Sequence, residues 1–295
     1  TLDRSSAASD VYKRQAQIQS ALAGAERVFD VMDSEPEDQG GNEPFEIENV
    51  KGDLNFKDID FSYVKGEQVL KHFDLWVKSG QKIAIVGATG SGKTTVVNLL
   101  TRFYDIDGGV ITLDGQDIRN IPVNKLRGSI GIVLQDTVIF SDTIAQNIRY
   151  GRIDATDEEI VEAAKIARVD DFASKLSDGY NTMLTEGGSN LSQGQRQLIS
   201  IARAVLADPK ILILDEATSS IDTRTEMHIQ EAMVALMKGR TSLIIAHRLS
   251  TIRDADKIVV ISGGKVVEAG DHDELLAQKG EYYKLYQSQF AGIAT

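Results

Sequence analysis

Residues 87–95, GATGSGKTT, have the spacing GxxxxGK[ST] of a loop that binds phosphate groups. They follow the apolar residues 83–86 and precede an apolar-periodic segment, residues 96–103, so the pattern predicts a strand, a loop and a helix. Glycines let the backbone approach a phosphate closely, and a helix N-terminus offers unpaired N–H groups. Lys93 adds a positive charge, and the Thr94 hydroxyl is suited to Mg²⁺.

Two adjacent carboxylates, Asp215 and Glu216, end a continuous apolar run at residues 211–214. Such runs are typical of strands that a parallel sheet buries on both faces. Behind a phosphate loop, Asp215 is suited to holding Mg²⁺, and Glu216 is suited to accepting a proton from an attacking water. The alternative interpretation is an acidic pair that stabilises the start of a helix.

The elements that position these residues alternate between strands and helices, which predicts an α/β fold. Before the loop, residues 54–77 predict an antiparallel β subdomain. Residues 141–210 are mostly helical in period, with a glycine break at residues 186–188. Ligands of α/β sheets bind where strands end, and predicted strands end at Gly87, Gln135, Asp215 and His247.

Composition narrows the function classes. The chain has 295 residues, enough for one large domain or two, and it is 42% hydrophobic and 26% charged. A net charge of −12 argues against nucleic acid as a partner, because nucleic acid requires a basic face. The absence of cysteine excludes disulfides and thiolate metal sites. No apolar run approaches the roughly 18 residues of a membrane-spanning helix.

The N-terminal 49 residues are predicted to lie outside the main domain. Within residues 1–15, SAASDVYKRQ resembles the translation of a transposase adapter used in sequencing libraries, so this stretch is predicted to be a foreign tail. Residues 16–33 carry apolar side chains at helical spacing, which predicts an amphipathic helix that packs on another element. It is either an accessory helix on the domain's own core or the end of a longer helix from a missing upstream domain. Residues 34–48 contain prolines and glycines and predict a linker.

Residues 50–290 resemble the nucleotide-binding domain of ATP-binding cassette (ABC) transporters. The motifs that carry the resemblance occur in the family's order: the phosphate loop at 87–95, the Q-loop VLQD at 133–136, the signature LSQGQ at 191–195, the Walker B strand and D-loop at 211–222, and the switch histidine His247. Gln193 departs from the family consensus LSGGQ. The loop at 185–188, the stretch at 147–151 and the helix at 16–33 resemble the exporter branch.

The resemblance implies a P-loop NTPase fold with a RecA-like, mostly parallel sheet core, an antiparallel β subdomain and a helical subdomain at about 136–209. Residues 16–49 would then join the last membrane helix to the cassette, and residues 291–295 would be a tail. The location implied is the cytoplasmic face of the cell membrane, through a membrane domain outside this sequence, with the fragment itself soluble.

The resemblance also assigns roles to residues. Tyr63 would stack on adenine, an interaction that tolerates different rings. Glu216 would be the catalytic base, and His247 and Gln135 would act beside it on the γ-phosphate and its metal. Mg²⁺ would be held by Thr94, Asp215 and Gln135. The residues predicted to contact ATP in one cassette are Tyr63, Gly87, Thr89, Gly90, Ser91, Gly92, Lys93, Thr94 and Thr95.

A second cassette is implied as partner, because Ser192, Gly194 and Gln195 of the signature would bind the ATP of the other subunit, with Asp222 at the interface. We therefore predict an ATPase that couples ATP-driven pairing of cassettes to export. Two alternatives stay open: a low-activity regulatory cassette of a heterodimeric exporter, and a soluble ABC ATPase without a transport role. The residues do not indicate the transported substrate.

Overall fold

The computed structural model describes residues 2–41, 43–134, 137–215, 221–246 and 249–290. Backbone contacts divide the chain into two units, Thr1–Gln39 and Gly40–Thr295. The first unit contains helix α1 (Leu2–Met32), which begins well before the predicted residue 16. Its predicted apolar face, including Ile18, Leu22 and Phe29, is exposed. None of the described helices has the length and apolar composition of a membrane span.

The second unit contains all the strands of the described chain. They are β1 (Leu54–Val64), β2 (Glu67–Val77), β3 (Lys82–Val86), β4 (Gly108–Leu113), β5 (Gln116–Asp117), β6 (Ile130–Val133), β7 (Ile211–Asp215), β8 (Thr241–Ile245), β9 (Lys257–Ser262) and β10 (Lys265–Gly270).

The helices of this unit connect and cover those strands. They are α2 (Lys93–Leu100), α3 (Val123–Gly128), α4 (Ile144–Arg149), α5 (Asp157–Ile166), α6 (Asp170–Ala173), α7 (Gln193–Ala207), α8 (Thr223–Met237), α9 (Leu249–Arg253), α10 (His272–Gln278) and α11 (Glu281–Phe290).

One sheet is antiparallel and has the strand order β2-β1-β4-β5. Phe73, Leu75 and Val77 alternate along β2 and are all buried, as the period of two predicts. The predicted β subdomain is confirmed, but it is larger than expected. Strands β4 and β5 follow the phosphate loop in sequence and still join this sheet, because β1 pairs with β4 from Leu54 to Asp60.

The other sheet has the order β10-β9-β3-β8-β7-β6, and every neighbouring pair is parallel except β9 with β10. Strand β7 lies between β6 and β8, and its residues 211–214 are buried. A central position explains why this strand is apolar throughout, since both of its faces meet other elements. The predicted mostly parallel α/β core is therefore confirmed.

Candidate nucleotide-binding site

The loop between β3 and α2 is shaped by two glycines that have no room for a side chain. A Cβ on Gly87 would lie 2.3 Å from the carbonyl oxygen of Ile261. Gly92 has a φ of 108°, and a Cβ there would lie 2.7 Å from Cδ2 of Leu70. Both values are well below ordinary van der Waals contact, so the loop depends on glycine at these positions.

Lys93 folds back over the loop that precedes it. Its Nζ donates to the carbonyl oxygens of Gly87 and Ala88, at 2.8 Å and 2.9 Å. Partial burial lowers the pKa of the Lys93 ammonium, and the negative charge of Asp215 opposes that shift. An ammonium has three hydrogens, and these two bonds leave one for a phosphate oxygen.

The loop fits an anion in two further respects. The Ser91 hydroxyl is buried and finds no hydrogen-bond partner within the part of the chain that the structure describes. Helix α2 begins after Gly92, which has no side chain to cap the first N–H groups. An oxyanion at this position would satisfy both features. Thr89, Gly90 and Thr94 are exposed at the same loop.

Thr95 and Tyr63 contact one another beside this loop. Thr95 is buried, and its Oγ1 accepts a hydrogen bond of 3.2 Å from the Tyr63 hydroxyl. Tyr63 lies near the end of β1 with 44% of its surface exposed. The structure thus brings the residue predicted to stack on adenine next to the helix predicted to bind the phosphates.

Asp215 lies level with the end of β3. Ile245 of β8 is paired with Ile85 on one side and with Asp215 on the other. Asp215 is therefore two strands from β3, which corresponds to about 10 Å. An exposed Thr94 hydroxyl and this carboxylate are oxygen donors of the kind that Mg²⁺ prefers, with its remaining ligands expected from phosphate and water.

Helix α7 carries the predicted signature at its start. Ser192 caps it: Ser192 Oγ accepts from the Gln195 N–H at 3.2 Å, and Gln195 Oε1 accepts from the Ser192 N–H at 2.9 Å. The helix begins at Gln193, within the predicted signature. Gly194 is buried, and a Cβ there would lie 2.2 Å from Cγ2 of Thr225 in α8. The structure gives Gly194 a packing role that the motif did not suggest.

Asp222 caps the next helix. Its Oδ1 accepts from the Thr225 N–H at 3.0 Å, and that backbone bond lowers the pKa of the Asp222 carboxyl. Gln135, Glu216 and His247 lie outside the described residues, so the positions of the predicted catalytic groups stay predictions.

A polar cluster around the buried Asn147, which the sequence did not indicate, follows the Q-loop. Arg203 of α7 donates to the Val138 carbonyl at 2.6 Å and to Oδ1 of Asn147 at 2.7 Å. The same Asn147 oxygen accepts from the Phe140 N–H at 3.0 Å. Burial lowers the pKa of Arg203. These bonds attach the segment after the Q-loop to the signature helix.

Exposed apolar side chains surround this cluster. The rings of Phe140 and Tyr150 lie 4.4 Å apart, and Met183 is joined to the same region by a bridge to Thr143. We call Val138, Phe140, Tyr150 and Met183 the apolar patch; all four are exposed. The signal available in the sequence was the short run of large apolar residues at 138–140, whereas Tyr150 and Met183 lie apart from it in sequence.

Comparisons with known proteins agree with this geometry. A model of the ABC transporter family matches residues 70–219. The ABC transporter ATP-binding protein YfiC of Bacillus subtilis is 56% identical over 271 residues, 92% of this chain and 45% of that protein. The fatty acid ABC transporter ATP-binding/permease protein of Mycobacterium bovis is 54% identical over 268 residues, 91% of this chain and 42% of that protein.

Among solved structures, a bacterial Atm1-family ABC exporter with ATP bound matches with a TM-score of 0.82 and 39% identity, over 94% of this chain and 49% of that one. Fold and site define a P-loop nucleotide-binding domain. The chain belongs to the ABC transporter family, in which it corresponds to the ATP-binding cassette. It spans less than half the length of the curated relatives it matches.

Proposed function

We propose that this chain is the ATP-hydrolysing cassette of an ABC exporter and that it works in pairs. One observation carries the proposal: the loop at 87–95 holds Lys93 over its own carbonyls and ends in a helix N-terminus without a side-chain cap. That arrangement supports binding of the phosphates of ATP, because N–H groups, the helix dipole and the ammonium all favour negative charge.

In the proposed reaction a water attacks the γ-phosphate in line, and the bond to the β–γ bridging oxygen breaks, giving ADP and phosphate. Glu216 accepts the proton of the water, and His247 contacts the γ-phosphate. Lys93 balances charge on the phosphate oxygens. Mg²⁺, held by Thr94, Asp215 and Gln135, would neutralise the charge that develops on the phosphates.

The second cassette supplies the other side of the site. The N-terminus of α7, with exposed Ser192, is available to the γ-phosphate bound by a partner. Asp222 begins α8 next to Gly194, since Thr225 contacts both residues. This adjacency supports placing Asp222 and the signature at one interface.

Contact with the membrane domain is proposed at the apolar patch. The Gly187 N–H donates to the Ile139 carbonyl at 3.1 Å, so the exporter-like loop at 185–188 lies against the segment after the Q-loop. Arg196 of α7 donates to the Gly188 carbonyl at 3.2 Å. A force on the patch would therefore reach the signature helix through hydrogen bonds.

For the full-length protein, an acyl-chain compound is the first substrate to test, because one relative is named for fatty acids.

The test is the Mg-ATPase rate per mole of chain as protein concentration rises, with light scattering to follow the monomer–dimer equilibrium. We expect the rate per mole to rise as dimers form. Glu216→Gln should abolish hydrolysis and still bind ATP, which shows that the variant folds. A rate per mole that stays constant while the chain is monomeric would contradict pairing. ATP binding without hydrolysis in dimers of the unaltered chain would favour the low-activity cassette.

A further inference from the structure

The hydroxyl of Tyr63 is fixed by two residues of helix α2. It donates to Thr95 Oγ1 at 3.2 Å and accepts from Asn98 Nδ2 at 3.0 Å. The two bonds use the donor and an acceptor of one phenol, so they are compatible with each other. Both partners lie on the helix whose N-terminus faces the phosphate loop.

The ring of Tyr63 is fixed by two other aromatic residues. Phe61 lies 4.8 Å away at 86°, and Tyr104 lies 4.9 Å away at 89°. Both arrangements are edge-to-face, which is a favourable geometry for aromatic pairs. The pairing of β1 with β2 shifts register between Phe61 and Ser62 and again between Ser62 and Val64. Such irregularities redirect side chains near the end of a strand.

Tyr63 is thereby held at its hydroxyl and at its ring while 44% of its surface stays exposed. A ring that is already fixed loses little conformational freedom when a base stacks on it, and pre-organisation of this kind raises affinity. We call the ring of Tyr63 the base platform. Because Thr95 and Asn98 hold its hydroxyl, the base platform is attached directly to the phosphate-binding helix α2.

We propose that Asn98 and Tyr104 are positioning residues that hold Tyr63 in the orientation in which it stacks on the base of the nucleotide. The inference rests on the proposed function of the loop at 87–95 as an ATP site. Neither residue belongs to a motif of that site. Asn98 acts through the Tyr63 hydroxyl, and Tyr104 acts through the ring.

The experiment compares the binding of two ligands by calorimetry: MgATP, and magnesium tripolyphosphate, which has the phosphate chain without the base. Asn98→Ala and Tyr104→Leu should each weaken ATP binding by about threefold to tenfold, as expected for one lost hydrogen bond or ring pair. Tripolyphosphate affinity should stay within about twofold, because the phosphate loop is untouched. Its retention also shows that each variant is folded.

Matched variants separate positioning from general packing. Tyr104→Phe keeps the ring and should bind ATP like the unaltered chain. Tyr63→Phe keeps the stacking face but loses both hydroxyl bonds, so it should weaken ATP binding at least as much as Asn98→Ala, which removes one of the two. The double variant Tyr63→Phe/Asn98→Ala should be no weaker than Tyr63→Phe alone, because both changes remove the same contact.

Three results would overturn the inference. Equal weakening of ATP and tripolyphosphate would place the effect in the phosphate loop instead of the base platform. Unchanged ATP affinity in Asn98→Ala and Tyr104→Leu would show that Tyr63 needs no support. Equal affinity of the unaltered chain for ATP and tripolyphosphate would show that the base is not held. Failure to bind either ligand would instead reject the proposed nucleotide site, and the inference with it.

Discussion

The two helices with predicted phosphate contacts, α2 and α7, begin in different ways. Helix α2 follows Gly92 in a left-handed conformation, and Gly92 offers no side chain to the first N–H groups. Helix α7 follows Ser192, and its first turn is closed by a reciprocal pair of hydrogen bonds between Ser192 and Gln195. The first N-terminus is arranged for an external anion, and the second is satisfied in part by its own residues.

The difference indicates what each helix requires in order to bind ATP. Helix α2 with Lys93 presents donors before any ligand arrives, so it can hold the phosphates in a single chain. Helix α7 has fewer unsatisfied donors, so a phosphate there adds to an existing cap or replaces it. A weaker site that acts only when a second chain delivers the phosphate fits the proposed pairing.

The largest expected effect comes from removing the charge at α2. Lys93→Ala should weaken ATP binding about tenfold to 150-fold, because a hydrogen bond to a charged group contributes about 1.5–3 kcal/mol. Calorimetry on the purified chain measures the change. Lys125→Ala in α3 is the matched control and should have no effect. ATP affinity that is unchanged in Lys93→Ala would show that the ammonium does not contact the phosphates.

The next prediction tests whether Gly194 of α7 is needed for packing or for ligand binding. Gly194→Ala places a methyl group 2.2 Å from Cγ2 of Thr225. We expect a loss of about 1–3 kcal/mol in the free energy of unfolding, measured with denaturant, because overpacked contacts force neighbours apart. The control is Gly24→Ala in α1, where a Cβ has nothing within 4 Å.

A second variant sharpens the same test. Thr225→Ser removes the methyl group that the side chain introduced by Gly194→Ala would contact, and it keeps the backbone N–H that donates to the capping residue Asp222. The double variant Gly194→Ala/Thr225→Ser should therefore regain most of the lost stability. A Gly194→Ala chain as stable as the unaltered one would contradict tight packing of α7 on α8. Gly194 would then be needed only for close approach to a ligand.

The parts of the site that the sequence predicted are those encoded in consecutive residues. Residues 87–95 form the expected loop because strand, glycines and helix follow one another directly. Ser192 was predicted as a ligand contact and Asp222 as a residue at the cassette interface, and the structure shows that both cap helices. A motif does not separate these two roles, since Ser and Asp are favoured at N-caps for local reasons.

The residues that the sequence did not indicate act across long separations. Asn98 lies 35 residues from Tyr63, and Arg203 lies 56 residues from Asn147. Their roles depend on how β1 packs beside α2 and how α7 packs beside α4, and no local pattern encodes that packing. Strands β4 and β5 were missed as members of the antiparallel sheet for the same reason, because β4 pairs with β1, which lies before the phosphate loop, and β5 pairs with β4.

A smaller effect is expected when the cap of α7 is changed without being lost. Ser192→Asp keeps an N-cap acceptor, so the free energy of unfolding should stay within about 0.5 kcal/mol, whereas Ser192→Ala should cost about 1 kcal/mol. In dimers, Ser192→Asp should lower the ATPase rate more than Ser192→Ala does, because a carboxylate repels a partner's phosphate. An ATPase rate that follows the unfolding free energy across the two variants would show that Ser192 acts only as a cap.

The smallest effect is a pH dependence that belongs to α2 alone. Burial lowers the pKa of Lys93 in the free chain, and bound phosphates favour the charged ammonium, so binding should raise that pKa again. Between the two pKa values binding takes up protons, and affinity falls as pH rises through that alkaline window. Calorimetry in buffers of different ionisation enthalpy measures the uptake, at most one proton per ATP. Lys93→Arg stays charged at these pH values and should remove the uptake. Uptake that persists in this variant would assign the proton to a group other than Lys93, and helix α2 would then differ from α7 in its donors but not in a titrating charge.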